Sequence, residues 1–378
     1  MTCMQALQNI LATYNDRAPL SEASTIPAPW YVDSRIADLE AKTVFSKSWQ
    51  MVGRIEQVEK PGQFVTANIA GEPIVAVRGN DGVLRAFYNV CRHHAAAVVT
   101  EACGQANILH CPYHGWNYGL DGSLKGMPEF DGVKDFERQQ NGLVPVKAET
   151  WEKFVFVNLD PQAVGLREFL GGLVKQVAPL GVSKLYYFDS RSYDIACNWK
   201  VFVDNYLDGG YHVPHLHKGL SSVLDYKEYT IENEDRYCLQ SSPMVASDED
   251  KATGATRKGD RARYFWQYPN LMINCYEGYM DTNLVLPLDV DHCRVIFDFY
   301  FADVSEARRA YNEESVAVGA RVQDEDLGIC EAVQRGLKSR AYGAGRLSVR
   351  REAGEHLFHR LLAADLKAGV ESAAAAAD

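Results

Sequence analysis

Two short segments of the chain each pair one cysteine with one histidine: Cys91-Arg92-His93 and, seventeen residues later, Cys111-Pro112-Tyr113-His114. Two soft thiolates and two imidazoles on paired loops suit a [2Fe-2S] cluster in which two histidines replace two cysteines on one iron. Pro112 and the glycines at 104, 115 and 119 supply the turns that let two loop tips meet. Zinc is the competing reading, but a Cys-x-His with a Cys-x2-His departs from the Cys-x2-4-Cys pairs usual for zinc. Cys91, His93, Cys111 and His114 are therefore the expected cluster ligands.

A second constellation runs Asp204-Asn205-Tyr206-Leu207-Asp208-Gly209-Gly210-Tyr211-His212-Val213-Pro214-His215-Leu216-His217. His212 and His217 with one carboxylate would make the metal-binding face of a non-haem Fe(II) oxygenase, which leaves coordination positions open for dioxygen. His215 is the rival ligand, because His212 and His215 share a face if a helix continues through Pro214; the proline favours His217. The carboxylate must come from elsewhere. In a helix expected from about 306 to 340, Val322, Asp326, Ile329, Val333 and Leu337 share one face, so Asp326 points inward. Metal coordination would remove the cost of burying it. Asp324 and Glu325 lie off that stripe and are expected in solvent. Asp208, four residues before His212, is placed to hydrogen-bond a ligand histidine and to carry the contact between two metal centres; Asp204 and Asn205 are the alternatives for that role by position.

The elements that must hold these residues change character along the chain. Residues 1–44 read as an amphipathic and then Pro-rich lead-in packing on the catalytic part. From 45 to 162, short β-rich runs such as Gln63 to Ala67, Pro73 to Arg78 and Phe154 to Leu159 alternate with Gly, Asn and Asp turns, as in antiparallel hairpins. From 163 to 370, helical and strand periodicities mix, which makes the whole α+β. Ser247 to Arg263 is polar and reads as a mobile surface loop, or more sharply as a lid. Residues 371–378, with five alanines, read as a disordered tail.

The formal net charge of −11 argues against nucleic acid or an anionic membrane surface as partner, since either selects clustered Lys and Arg. Nine cysteines without a close-spaced framework suit a reducing compartment. No apolar run reaches the length of a membrane span, and the first residues lack a signal-like apolar core. A soluble intracellular protein is expected, in the chloroplast stroma if it is a processed plant-type chain and in the cytoplasm otherwise.

Taken together, these motifs resemble the Rieske non-haem iron oxygenases from about residue 30 to about 365, and within them the choline monooxygenases of plants and their relatives. The resemblance rests on Cys91 to His93, Cys111 to Trp116, Asp204 to His217, Tyr268-Pro269-Asn270, Met280 to Leu288 and Cys330 to Leu337. It implies an N-terminal all-β Rieske domain, a catalytic domain with a curved antiparallel sheet covered by helices, and a head-to-tail homotrimer. It also implies an acid bridging the Rieske histidine of one subunit and the iron-ligand histidine of the next, a position Asp208 matches best. One departure is that three residues, not two, separate Asp208 from His212; another is His94, where an Arg often follows the Rieske histidine, and which reads as a polar loop residue.

By the same resemblance the cofactors are a [2Fe-2S] cluster and a mononuclear Fe(II), and the activity is hydroxylation of a quaternary ammonium, choline to betaine aldehyde hydrate. Demethylation of carnitine, glycine betaine or stachydrine is the alternative; an electron-transfer Rieske protein without oxygenase activity is the alternative of a different class. No G-x-G-x-x-G fingerprint is present, so a ferredoxin or a separate reductase must supply electrons. A quaternary ammonium offers no hydrogen-bond donor and is bound by aromatic faces. Trp266, Tyr276 and Tyr279 are the expected pocket residues.

Overall fold

The computed structural model describes residues 3–247 and 249–375, and the chain divides into two compact units. One spans residues 41–169; the other joins the segment before Ala41 to the chain from Leu170 onward. The boundary expected at 162/163 thus lies at Phe169/Leu170, and the lead-in segment expected to end at 44 ends at Glu40.

The first unit is built from short antiparallel strands: β1 (Gln50–Arg54), β2 (Gln63–Ile69), β3 (Glu72–Arg78), β4 (Leu84–Tyr88), β5 (Cys103–Gln105), β6 (Leu109–His110), β7 (Asn117–Tyr118), β8 (Leu124–Gly126), β9 (Pro145–Trp151) and β10 (Phe154–Asn158). Seven form one sheet in the order β1-β10-β9-β4-β3-β2-β5, and β6-β7-β8 form a small second one. Alternating apolar residues put Phe64, Val75, Val77 and Phe87 into a buried cluster with Leu109 and Trp116, and that cluster includes Cys91 and Cys111 themselves. The thiols therefore sit on the core, and their loops project from it.

The second unit centres on a seven-stranded antiparallel sheet ordered β11-β17-β16-β15-β14-β13-β12. Its strands are β11 (Tyr186–Ile195), β12 (Thr230–Glu234), β13 (Tyr237–Pro243), β14 (Arg261–Gln267), β15 (Leu271–Tyr276), β16 (Tyr279–Pro287) and β17 (Cys293–Phe301). The principal helices are α1 (Cys3–Leu11), α2 (Trp199–Leu207), α3 (Val213–Leu216), α4 (Lys251–Thr256), α5 (Arg309–Leu337) and α6 (Ala353–Ala375). Lys200 on α2, fully buried, lies 2.6 Å from Glu40, and the Trp199 indole N–H donates to the same carboxylate, which ties the N-terminal segment to the helix carrying Asp204 and Asn205.

Three expectations are corrected. The segment 247–263 is no open loop: α4, capped by Asp250, buries Thr253 and Thr256 and is tied to α5 by Arg321 on Asp250 at 2.7 Å; Asp248 lies outside the described residues. The tail expected to be disordered from 371 continues α6 through Ala375, as an alanine run allows; residues 376–378 lie outside the described residues. The α5 stripe is also different. Ile329 and Val333 are each 43% exposed, whereas Asn312, Ser315, Gln323, Asp326, Cys330 and Gln334 are buried. The helix turns a largely polar stripe inward, and Asp326 belongs to it.

Candidate metal centres and active site

The two Cys-His loops are built alike. The amide of Cys91 donates to Ala96 O and that of Ala95 to Cys91 O; the amide of Cys111 donates to Trp116 O and that of Gly115 to Cys111 O. Each loop closes through a residue of positive φ four positions after its cysteine, Ala95 at 61° and Gly115 at 72°, a conformation costly for alanine and free for glycine. The loops bring the His93 and His114 rings to 4.7 Å, and His93 stacks on Trp116 at 4.8 Å. Burial and the neighbouring Cys91 sulfur push the Cys111 thiol up.

The donor set fits an iron-sulfur cluster. His93 Nδ1 is buried without a hydrogen-bond partner, and burial with the adjacent His94 and His114 imidazoles keeps His93 below the usual histidine range, as a neutral metal ligand requires. The exposed His94 ring lies 4.0 Å from that of His93. Sequence reasoning missed Tyr118, whose hydroxyl lies 3.4 Å from Cys91 Sγ and accepts the Arg92 amide.

In the second unit, α2 starts under an Asn198 cap and stops at Leu207. Gly209 and Gly210 follow at φ 67° and 68°. A Cβ at Gly209 would meet the Arg351 carbonyl oxygen at 2.1 Å, so no acid can stand at 209 and Asp208 carries the carboxylate one position earlier. Pro214 lies in the first turn of α3, where its missing N–H costs nothing; it opens a one-turn helix rather than bending a longer one. His212 and His217 end on either side of that turn with rings 4.9 Å apart, and His215 is exposed.

Asp326 completes the group. Its Oδ1 lies 3.0 Å from His217 Nε2 and 3.8 Å from His212 Nε2, and the donor atoms of the three residues lie within 4.8 Å of one another. Each histidine turns its other nitrogen to a carboxylate: His212 Nδ1 to Asp208 Oδ2 at 2.6 Å and His217 Nδ1 to Glu325 Oε2 at 2.6 Å. Both Nδ1 atoms turn to those acids, which leaves both Nε2 atoms directed toward Asp326, that of His217 within hydrogen-bond distance of Oδ1. Burial opposes charge on His217, but Asp326 and Glu325 outweigh it and hold its pKa above the usual value, so a cation entering here displaces a proton. The donor set, two neutral imidazoles and a carboxylate with an outer acid on each imidazole, fits Fe(II).

The acids on and after α2 divide. Asn205 Nδ2 donates to Asp326 Oδ1 at 2.8 Å and Asp208 holds His212, but Asp204 turns away from the triad to accept Tyr31 OH at 2.5 Å and His359 Nε2 at 2.9 Å. Asp204, Glu355 and His359 also cluster. Ile26 N–H donates to His359 Nδ1, leaving Nε2–H for Asp204, so hydrogen bonds satisfy this group without an ion. Glu325, expected in solvent, is the residue the stripe argument missed; its adjacency to Asp326 was the available signal.

Above the triad lies a cavity lined by α2, α4, α5 and one face of the sheet. Cross-strand partners Gln240, Tyr264, Asn274 and Asp281 form a row along its floor. Tyr276 lines it, with its hydroxyl 2.8 Å from that of Tyr264. Trp266 shares the strand face of Tyr264 but is fully buried, donates to Pro269 O and packs on Phe358 of α6: helix covers that part of the face, leaving no cavity. Tyr279 stands behind the lining, its hydroxyl donating to Asp281 at 2.7 Å and its ring under Arg257 at 4.4 Å. Asp281 also accepts Asn274 Nδ2 at 2.7 Å; burial pushes its carboxyl up against the pull of Arg257.

Residues 48–137 match the Rieske [2Fe-2S] domain family and residues 182–368 match the ring hydroxylating alpha subunit (catalytic domain) family. The chain is 38% identical over 375 residues to the chloroplastic choline monooxygenase of Arabidopsis thaliana, covering 96% of this chain and 87% of that one. It is 34% identical over 359 residues to the carnitine monooxygenase oxygenase subunit of Escherichia coli K12, covering 90% and 94%. A crystal structure of a quaternary ammonium Rieske monooxygenase in complex with L-carnitine superposes with a TM-score of 0.79 at 31% identity, covering 91% and 96%.

Proposed function

The chain belongs to the Rieske non-haem iron oxygenases, with a [2Fe-2S] cluster and a mononuclear iron as cofactors, and from that premise we propose that it hydroxylates choline to betaine aldehyde hydrate. The reaction balances as choline, dioxygen, two protons and two electrons giving the aldehyde hydrate and water. When bound, the cluster supplies electrons singly and the iron activates dioxygen. Cys91, His93, Cys111 and His114 would hold the first; His212, His217 and Asp326 would hold the second. Asp208 and Glu325 fix the histidine tautomers, and Asn205 orients Asp326. Tyr264 and Tyr276 offer ring faces to an onium group, and the buried Asp281 adds negative charge to the same floor.

The observation that carries this reading is the gathering of His212, His217 and Asp326 beneath an aromatic-lined cavity. The match of residues 182–368 to a catalytic domain family removes the pure electron-transfer alternative. Arg257, buried in the cavity wall, favours a second reading, since a guanidinium there could meet the carboxylate of a carnitine-like amine whose methyl group is then removed. Electrons would come from a ferredoxin or separate reductase, and Asp208 would face the cluster of a neighbouring chain in a homotrimer. The exposed apolar Ile329 and Val333 on α5 support a chain-to-chain contact. Product analysis with choline, carnitine, glycine betaine and stachydrine, using a ferredoxin system, tests the choice. Betaine aldehyde from choline is expected; turnover of only a carboxylated amine would overturn the first reading.

A further inference from the structure

Asn205, whose amide holds Asp326 at 2.8 Å, borders two cavities: the one above the triad and a second of about 170 Å³. The second is bounded by α2, α5, α6 and the N-terminal segment, with Tyr31, Asp204 and Glu355 in its wall. Its outer end is marked by Ile329 and Val333, each 43% exposed, and by Tyr342 at 41%. A polar space of that size takes several waters. They would connect the surface with the residue that grips a metal ligand.

One wall residue has no partner for its charge. Glu355 on α6 is 6% exposed, and its closest cationic neighbour, His359 Nε2, stands 3.8 Å away and is engaged with Asp204 at 2.9 Å. Asp204, His359 and Tyr31 thus satisfy one another and leave the Glu355 carboxyl without a hydrogen bond from the chain. Its oxygens are not sealed in, and they face the cavity. The titratable groups around it are His359 on the same helix, Glu352 just before it, Asp204 on α2, Asp208 after α2, and Tyr14 and Tyr31 of the N-terminal segment. Burial, and then the negative charge of Asp204, Glu352 and Asp208, holds the carboxyl well above its usual range. A buried acid with no partner in the chain and water before it is placed to hold a proton and hand it on.

We propose that this second cavity is a proton inlet and that Glu355 is its proton-holding group, supplying the oxygenase reaction through water at Asn205. The inference rests on the reading above, in which each turnover takes up two protons with two electrons. The acids nearer the triad are occupied as acceptors: Asp208 and Glu325 by the imidazoles, and Asp281 by Tyr279 and Asn274. The transfer balances. The Glu355 O–H bond breaks as a cavity water takes the proton, a water on the Asn205 side gives one up to the oxygen being reduced, and solvent at the outer end restores the carboxyl. Two such passages supply both protons, while the external donor supplies the electrons.

The test compares wild type, Glu355→Gln and Glu355→Asp as holoenzymes. Infrared difference spectra between wild type and Glu355→Gln at pH 7, in H2O and D2O, are expected to show the band of one protonated carboxyl that is present only in wild type. With the quaternary amine that wild type turns over, Glu355→Gln should lower kcat about 100-fold and raise the solvent deuterium isotope effect, with KM, iron content and the cluster spectrum unchanged. The wild-type rate should fall as pH rises through the Glu355 value, and that limb should be missing in the Gln variant. Glu355→Asp keeps a carboxyl and should recover part of the rate, which a packing defect would not. No carboxyl band in the difference spectrum, or an unchanged kcat and isotope effect in Glu355→Gln, overturns the inlet while leaving a quaternary-amine oxygenase standing. Failure of wild type to turn over any quaternary amine overturns the substrate reading and leaves the inlet no reaction to serve.

Discussion

His217 turns its Nδ1 to Glu325 and its Nε2 to Asp326, so two consecutive acids of α5 grip the two nitrogens of one imidazole, at 2.6 and 3.0 Å. His212 has only one such contact of comparable length, to Asp208. The two outer acids thus have different duties. Glu325 orients a ligand, whereas Asp208 both orients a ligand and is the acid proposed to face a second centre.

The difference is measurable. Glu325→Gln is expected to weaken iron binding about 10- to 100-fold, with activity restored by excess ferrous iron. Asp208→Asn is expected to lose turnover that added iron does not restore. Iron content and product formation at increasing Fe(II) check both, and an identical response of the two variants would contradict the division.

Much of this site was legible in the sequence, and the reasons differ by residue. The ligand types declared themselves because Cys91, His93, Cys111 and His114 have few structural roles at such spacing. Asp326 was expected from an apolar stripe of which the fold buries Leu337 but leaves Ile329 and Val333 exposed. Hydrophobic periodicity cannot find a stripe made of Asn312, Ser315, Gln323 and Gln334, because its members look solvated until distant partners are placed against them, such as Asp303 O for Asn312, Arg257 for Ser315 and Asp291 for Gln334. Trp266 failed differently. Alternation along β14 identified its face correctly, but α6 covers that end of the face, and no local pattern says where a helix crosses a sheet. Glu325 escaped because the carboxylate search stopped at one acid per site.

Lys200 and Glu40 are 0% and 2% exposed and 2.6 Å apart, and burial holds the lysine below its usual pKa. Removing one partner leaves a charge buried and alone. Lys200→Met is expected to cost about 3–5 kcal/mol, and the double variant Lys200→Met with Glu40→Leu to recover most of it. Urea unfolding of the four proteins in the cycle measures this coupling, and additive losses would contradict it.

Glu355 is buried, and that burial, with Asp204, Glu352 and Asp208 nearby, holds its carboxyl well above 4.5. The native state therefore keeps a proton that the unfolded chain releases. The stability this contributes is complete below about pH 4.5 and is lost as pH rises through the raised value, at no more than about 1.4 kcal/mol per pH unit. Glu355→Gln cannot ionise. Its stability relative to wild type should increase from pH 5 to pH 8 in parallel denaturation series; a constant or falling difference would contradict the assignment.

The most direct measurement is iron per chain combined with product formation in Asp326→Ala. The expected result is two irons per chain instead of three, an unchanged cluster spectrum, and no product from choline or any other quaternary amine. Three irons per chain with full turnover would show that Asp326 is not the third ligand and that the chemistry is not centred on His212, His217 and Asp326.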